Sequence, residues 1–150
     1  MKEIQQRVLI LAIVVTAIVV TATVGYAYIS SSSSAKPAVT VIRIPKNSST
    51  EPTGFNVQDF QANFVNGTYP FPFNISVTTG VNNTIEWVND DTVGHTVTAL
   101  VAPLGALKFN SGIIFSGKTF SATLTIAGVY RYTCAWHQWL AGQIIVKPPA

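Results

Sequence analysis

The sequence contains very few side chains that can bind a soft metal ion or form a disulfide. Its 150 residues include one cysteine, two histidines and one methionine, and that methionine is the first residue, Met1. A single cysteine excludes an internal disulfide and any binuclear site that needs two thiolates. Two histidines are too few for a second catalytic metal centre, and none remains as the base of a hydrolase if both bind a metal.

Charged residues are also scarce, because Asp, Glu, Lys and Arg together make up 10% of the chain. The formal net charge is +3, and after residue 30 seven basic residues stand against five acidic ones without a run of one sign. Nucleic-acid binding normally requires a cluster of positive charge. We therefore expect no nucleic-acid partner.

Residues 8–29 form an uncharged apolar run. At about 1.5 Å per residue, a helix of this length matches the ~30 Å hydrocarbon core of a bilayer. A cleaved signal peptide has a shorter apolar region of ~7–15 residues, so residues 1–29 are predicted to be an uncleaved transmembrane helix, with cleavage as the alternative. Lys2 and Arg7 then stay in the cytoplasm, and the rest of the chain lies in the periplasm or on the cell surface.

Polar and β-forming patterns follow this apolar run. Five serines begin a predicted flexible linker over residues 30–38. Residues 58–65 fit either a short helix or an irregular strand. Alternating patterns predict strands at residues 39–44, 73–77, 84–88, 96–100, 119–126, 129–133 and 142–146. Short strands separated by turns indicate one antiparallel β-sandwich domain over residues 39–150, so the predicted class is all-β with one preceding transmembrane helix.

The single cysteine lies close to one of the two histidines. Cys134 and His137 are three residues apart, and His95 precedes Cys134 by 39 residues. One thiolate and two imidazoles are the in-plane ligands of a blue-copper electron-transfer site, because this set suits both Cu(I) and Cu(II). Cys134 ends one predicted strand, His137 lies in the turn after it, and His95 lies between two other predicted strands. The three residues are therefore predicted to bind a metal on loops at one end of the sandwich, and a buried unreactive cysteine is the alternative.

Three segments around these residues resemble the small cupredoxins, the plastocyanin, amicyanin and pseudoazurin group. They are Phe71–Val77, the stretch from Thr84 to Val97 with Asn-Asp-Asp before His95, and Phe109–Cys134 with its Ala-Gly-Val-Tyr-Arg-Tyr-Thr-Cys end. The resemblance covers about residues 68–147. It implies a Greek-key cupredoxin β-sandwich without enzymatic activity, in which His95, Cys134 and His137 bind one copper ion.

The sequence departs from this family at the axial position of the copper site. A methionine usually follows the second histidine by three residues, and Leu140 stands there instead. Leu140 cannot coordinate, which leaves either a three-coordinate site or one in which a backbone carbonyl, that of Gly94, makes a distant axial contact. An axial glutamine, Gln138 or Gln143, is the alternative. Loss of a donor and an apolar surrounding both disfavour Cu(II), so we expect a high reduction potential.

The resemblance also implies roles for residues around the ligands. Asn89 is expected to form a hydrogen bond between the two ligand loops, and Thr96 is the alternative residue for this role. The apolar loop that contains Leu104 is expected to join Trp136 and Trp139 in a docking patch beside His137, unless this loop folds into the core.

These expectations combine into a single predicted function. The chain is expected to shuttle single electrons between extracytoplasmic or membrane redox proteins, such as a donor in a respiratory chain and a terminal oxidase. Two alternatives stay open: a copper-binding or copper-delivery module at the membrane surface, and a metal-free adhesive β-sandwich. Delivery would favour exposed thioether ligands, which the sequence lacks.

Overall fold

A computed structural model describes residues 2–7, 14–16, 18–21, 37–70 and 72–149. The chain divides into two compact units, Met1–Lys36 and Pro37–Ala150. In the first unit the described residues are helical. Within the described ranges, no helix has both the length and the apolar character needed to cross a bilayer. Most of the predicted membrane helix, residues 8–13, 17 and 22–29, and most of the predicted linker lie outside the described residues, so both stay predictions.

The second unit is a sandwich of two β-sheets. Its described strands are β1 (Val39–Ile44), β2 (Phe73–Thr78), β3 (Thr84–Asn89), β4 (Thr98–Val101), β5 (Thr119–Thr123), β6 (Gly128–Thr133) and β7 (Ala141–Lys147). One sheet has the order β1-β3-β5 and the other has the order β2-β7-β6-β4. The predicted strands and the all-β class are thereby confirmed, although several strand ends are shifted.

The prediction of a purely antiparallel sandwich is wrong for two strand pairs. β1 pairs with β3 in parallel, and β2 pairs with β7 in parallel. Between the two strands of each pair, the chain forms at least one strand of the opposite sheet. The second strand of the pair can therefore run in the same direction as the first. Alternation of apolar residues reports which face of a strand is buried but carries no information about strand direction.

Aromatic rings fill the centre of the core between the sheets. Trp87 on β3 is fully buried, and its ring centroid lies 5.1 Å from Phe109, 5.8 Å from Phe120 and 5.4 Å from Tyr132. Tyr132 on β6 stands opposite Gly142 on β7, and a Cβ atom at Gly142 would lie 2.2 Å from Cζ of Tyr132. The glycine therefore makes room for the tyrosine ring.

A short helix, α1 (Val57–Phe64), covers the start of β7. Its N-cap Asn56 accepts hydrogen bonds from two backbone amides of the first turn, which satisfies donors that lack partners within the helix. Phe60 and Phe64, four residues apart on one face, are buried in a small cluster with Ala141. This contact explains why the ambiguous segment 58–65 forms a helix.

Candidate metal centre

The structure brings His95, Cys134 and His137 together at one end of the sandwich. Sγ of Cys134 lies 3.5 Å from Nδ1 of His137 and 3.8 Å from Nδ1 of His95, and the two Nδ1 atoms are 3.1 Å apart. A point in the plane of these three atoms lies about 2 Å from each, close to ordinary metal–nitrogen and metal–sulfur bond lengths. His95 and Cys134 are buried, and His137 is half-buried.

Backbone hydrogen bonds fix the loops that carry these residues. His95 and Ile114 exchange two bonds, of 3.1 and 2.8 Å, across an isolated bridge. After the end of β6, the amide of Cys134 donates to the carbonyl of Leu140 at 3.1 Å, and the amide of Leu140 donates to the carbonyl of His137 at 2.9 Å. The turn between the cysteine and the second histidine is therefore closed by its own backbone.

The donor set of this cluster suits copper. Nε2 of His95 lies 3.0 Å from a carboxylate oxygen of Asp91, which accepts its proton. In the neutral ring with this N–H, Nδ1 of His95 carries the lone pair that faces Cys134 and His137. Converging electron pairs repel one another unless a proton or a cation lies between them, and a thiolate with two imidazoles favours a soft or borderline ion over a hard one.

Asp91 is a functional residue that the sequence did not reveal. It is buried, and its carboxylate accepts hydrogen bonds from the backbone amides of Asn47, Ser49 and Thr92 as well as from His95. Burial acts to raise the pKa of Asp91, but these hydrogen bonds outweigh that effect and hold its pKa below the ordinary value. The carboxylate is therefore ionised. In the sequence, an aspartate within a polar turn gives no sign of burial.

Thr96 joins the two loops that carry the ligands. Its backbone amide donates to Sγ of Cys134 at 3.4 Å, and its hydroxyl lies 3.8 Å from the same sulfur. The hydroxyl oxygen also accepts a hydrogen bond of 2.8 Å from the amide of Ala135. A donor on the thiolate sulfur disperses its charge, so Thr96 both links the loops and steadies the sulfur.

Asn89 does not form the predicted bond between the loops. Its amide nitrogen donates to the carbonyls of Val93 at 2.7 Å and Ile114 at 2.8 Å, and its oxygen accepts from the amide of Asp91. The residue stands at the end of β3 and folds the turn before His95 onto the neighbouring segment. Thr96 takes the predicted role because it directly follows His95.

Leu140 and Gly94 both lie beside the cluster. Leu140 lines a small, mainly apolar cavity together with Cys134. Gly94 is closely covered, because a Cβ atom there would lie 3.0 Å from the side chain of Ile113 and 3.9 Å from the ring of Trp136. Leu140 is predicted to occupy the axial position without binding the metal, and the carbonyl of Gly94 is predicted to make the distant axial contact. Both roles stay predictions.

Leu104 was wrongly placed in the predicted docking patch. It is fully exposed, but its loop packs at the far end of the sheet, where Pro103 lies against Gly128 at the start of β6. Cys134 follows the other end of this six-residue strand, which is about 20 Å long at ~3.3 Å per residue. β4 runs antiparallel to β6, from Thr98 opposite Thr133 to Val101 opposite Arg131, so the chain that leaves β4 runs away from the ligands.

Trp139 is also not an exposed docking residue. Its indole nitrogen donates a hydrogen bond of 2.8 Å to the carbonyl of Ser48, and its ring packs edge-on against Phe55 at 5.5 Å. Trp136, by contrast, is 54% exposed. Other exposed apolar side chains stand beside the ligand loops. Together with Trp136 they form a surface that we call the apolar rim: Val93, Ile113, Phe115 and Trp136.

A two-sheet β-sandwich with a buried cysteine and two histidines converging at one end defines the cupredoxin class. A family model for copper binding proteins of the plastocyanin/azurin family matches residues 63–147. The chain therefore belongs to the plastocyanin/azurin family of copper binding proteins, a family of electron-transfer proteins whose members bind a single copper ion, and its cofactor is copper.

Individual relatives agree with this assignment. The chain is 28% identical over 67 residues to an amicyanin of Paracoccus denitrificans, covering 45% of this chain and 51% of that protein. It is 28% identical over 71 residues to an amicyanin of Paracoccus versutus, covering 47% and 54% respectively. The matched region is thus about half the length of these curated relatives. A solved structure of a novel purple cupredoxin from Nitrosopumilus maritimus is 25% identical, covers 72% of this chain and 99% of that chain, and superposes with a TM-score of 0.51.

Proposed function

We propose that the protein is a mononuclear type 1 copper electron carrier whose in-plane ligands are His95, Cys134 and His137. The observation that supports this most directly is the convergence of their three donor atoms at a buried site. When bound, copper supplies a one-electron couple between Cu(I) and Cu(II). The protein supplies the donor set and the fixed arrangement around it.

The fixed arrangement matters because electron transfer is fast only when the ligands move little between oxidation states. Backbone bonds hold His95 against Ile114 and close the turn from Cys134 to Leu140. Thr96 links the two loops through its hydroxyl. These contacts are made by the protein itself and are present without a metal ion.

We also propose a high reduction potential for this centre. Leu140, the proposed axial residue, offers no donor atom, and the only methionine of the chain is Met1. The side chain of Leu140 lines an apolar cavity beside Cys134, and an apolar surrounding disfavours the more highly charged Cu(II). The carbonyl of Gly94 is the proposed distant axial contact.

The proposed partners are redox proteins that dock at the apolar rim. Trp136 and Ile113, two residues of this rim, both lie close to Gly94, which directly precedes His95. Small apolar surfaces with little charge suit brief electron-transfer encounters. We propose that donor and acceptor are extracytoplasmic or membrane proteins, for example of a respiratory chain with a terminal oxidase, and that residues 1–29 anchor the protein to the membrane.

The decisive experiment is a visible absorption spectrum of the purified protein after addition of Cu(II). We expect an intense thiolate-to-copper band that reductant bleaches and that Cys134→Ser abolishes without loss of the circular dichroism of the β-sandwich. A folded protein that binds copper without this band would contradict the proposal and favour copper delivery. A folded protein that binds no copper would favour the adhesive sandwich.

A further inference from the structure

We propose that residues 47–49, hereafter the brace, position both histidine side chains of the metal centre, His95 through Asp91 and His137 through Trp139. The consequence for copper rests on the proposed function, whereas the positioning itself is a property of the metal-free chain.

The brace holds His95 through the carboxylate of Asp91. One oxygen of Asp91 accepts from the amide of Asn47 at 2.9 Å. The other accepts from the amide of Ser49 at 3.2 Å and from the hydroxyl of Ser48 at 3.3 Å, and it lies 3.0 Å from Nε2 of His95. His95 and Asp91 are 0% and 1% exposed, so water does not replace these contacts. The carboxylate is fixed at both oxygens and in turn fixes the imidazole.

The brace holds His137 through the indole of Trp139. The carbonyl of Ser48 accepts the indole N–H of Trp139 at 2.8 Å. The ring of Trp139 lies 5.4 Å from the ring of His137, and Phe55 packs edge-on against the same indole at 5.5 Å. With one end hydrogen-bonded to the brace and its ring in contact with Phe55, the indole limits rotation of the His137 ring.

The backbone of Asn47 makes both contacts possible. Its φ of 62° is the only positive value outside glycine among the described residues. Asparagine tolerates this left-handed conformation better than most residues. The resulting turn points the amides of Asn47 and Ser49 at one carboxylate, which is how successive backbone N–H groups form an anion-binding concavity. The carbonyl of Ser48 remains available for Trp139.

One loop therefore contacts the supports of two ligands that lie 42 residues apart in the chain. Partners that orient metal-binding histidines commonly affect metal affinity by about 10–100-fold when they are removed. If Asp91 and Trp139 both depend on the brace, loss of one contact makes the other side chain less well fixed. Their effects on the centre are then coupled although Asp91 and Trp139 belong to different loops.

The test uses the full chain, four single variants and one double variant that combines Asn47→Ala with Trp139→Phe. Asn47→Ala places a strained side chain at positive φ, and Asn47→Gly is its matched control, because glycine adopts this conformation freely. Trp139→Phe keeps a ring but removes the indole donor. Ser48→Ala removes only the hydroxyl contact and leaves the backbone bonds. The first readout is nuclear magnetic resonance of the imidazole signals in the metal-free chain, and the second is Cu(I) affinity by competition with a chelator.

We expect Asn47→Ala and Trp139→Phe each to shift the imidazole signals of both His95 and His137, with little change in Asn47→Gly and Ser48→Ala. Each of the two disruptive variants should lower Cu(I) affinity by about tenfold, and their combination by less than the product of the two. The brace is ruled out if Asn47→Ala shifts only the imidazole signals of His95 and Trp139→Phe shifts only those of His137. In that case the two losses of Cu(I) affinity should also multiply in the double variant. If each variant shifts the imidazole signals of both histidines but the chain never forms the thiolate-to-copper band, the brace is upheld and the proposed function is rejected.

Discussion

Asp91 and His95 form a buried pair, with 3.0 Å between a carboxylate oxygen and Nε2 of the imidazole. The neighbouring Asp90 is different, because its carboxylate lies at the surface and pairs with Arg43 at 2.8 Å. The two adjacent aspartates thus differ in environment, because Asp91 is buried and Asp90 is in contact with solvent. The contrast gives a matched experiment on stability.

Replacing Asp91 by alanine should strongly destabilise the metal-free protein. The change leaves Nε2 of His95 and several backbone amides without their buried acceptor, which typically costs about 3 kcal/mol in the free energy of unfolding. Asp90→Ala is the control and should cost less than about 1 kcal/mol, since its ion pair is exposed. Chemical denaturation of both variants measures the difference, and equal losses would show that Asp91 is not a buried acceptor.

Introducing a thioether at the proposed axial position should lower the reduction potential. Leu140→Met adds a weak donor that favours Cu(II), and Leu140→Gln should lower the potential further because an amide oxygen is a stronger donor. The volume change from leucine to methionine is small, so the fold should tolerate it. Leu124→Met, at a buried position in the core, is the control for a methionine elsewhere. Voltammetry that finds no decrease in Leu140→Met would place Leu140 away from the axial position.

Thr96→Val should weaken the link between the ligand loops. Valine keeps the backbone amide that donates to Cys134 but removes the oxygen that accepts from Ala135, so the partly buried bond between the loops is lost. We expect a loss of about 1–2 kcal/mol in stability and a shift of the thiolate-to-copper band. Thr123→Val, which removes an exposed hydroxyl contact with Thr84, should change stability by less than about 0.5 kcal/mol and leave the band in place.

Two buried tyrosines on β6 should respond differently to loss of their hydroxyl groups. Tyr130 donates a hydrogen bond of 2.9 Å to the carbonyl of Ile126. The hydroxyl of Tyr132 is buried and finds no hydrogen-bond partner within the described part of the chain. Tyr130→Phe should therefore cost about 1 kcal/mol, whereas Tyr132→Phe should be neutral or stabilising. Thermal or chemical unfolding compares the two, and a larger loss for Tyr132→Phe would reverse the interpretation.

Alkaline pH should destabilise the fold partly through Tyr130. Burial raises the pKa of Tyr130 above its ordinary value. The unfolded chain loses this proton near pH ~10 while the folded chain retains it, so the contribution is complete below that pH and declines as the pH rises further. Unfolding measured from pH 8 to 11 should show a shallower decline in Tyr130→Phe, and an unchanged decline would exclude this contribution.

Local patterns in the sequence were sufficient to predict the strands and the cluster of three donors. Alternation along β3 follows directly from its buried face, and the short spacing from Cys134 to His137 places both in one turn. The contacts of Asp91 and Trp139 were not predictable, because they depend on a loop more than 40 residues away in the chain. The position of Leu104 was missed for a similar reason, since it depends on the antiparallel pairing of β4 with β6, which directs the loop away from the ligands.

The close approach of Tyr132 to Gly142 also constrains how this fold can vary during evolution. A side chain at position 142 would occupy the space of the tyrosine ring on the opposing strand. In homologous chains, therefore, a larger residue at position 142 should occur only with a smaller residue at position 132. The two positions should change as a pair, and a lineage that loses the glycine first would pass through a poorly folded intermediate.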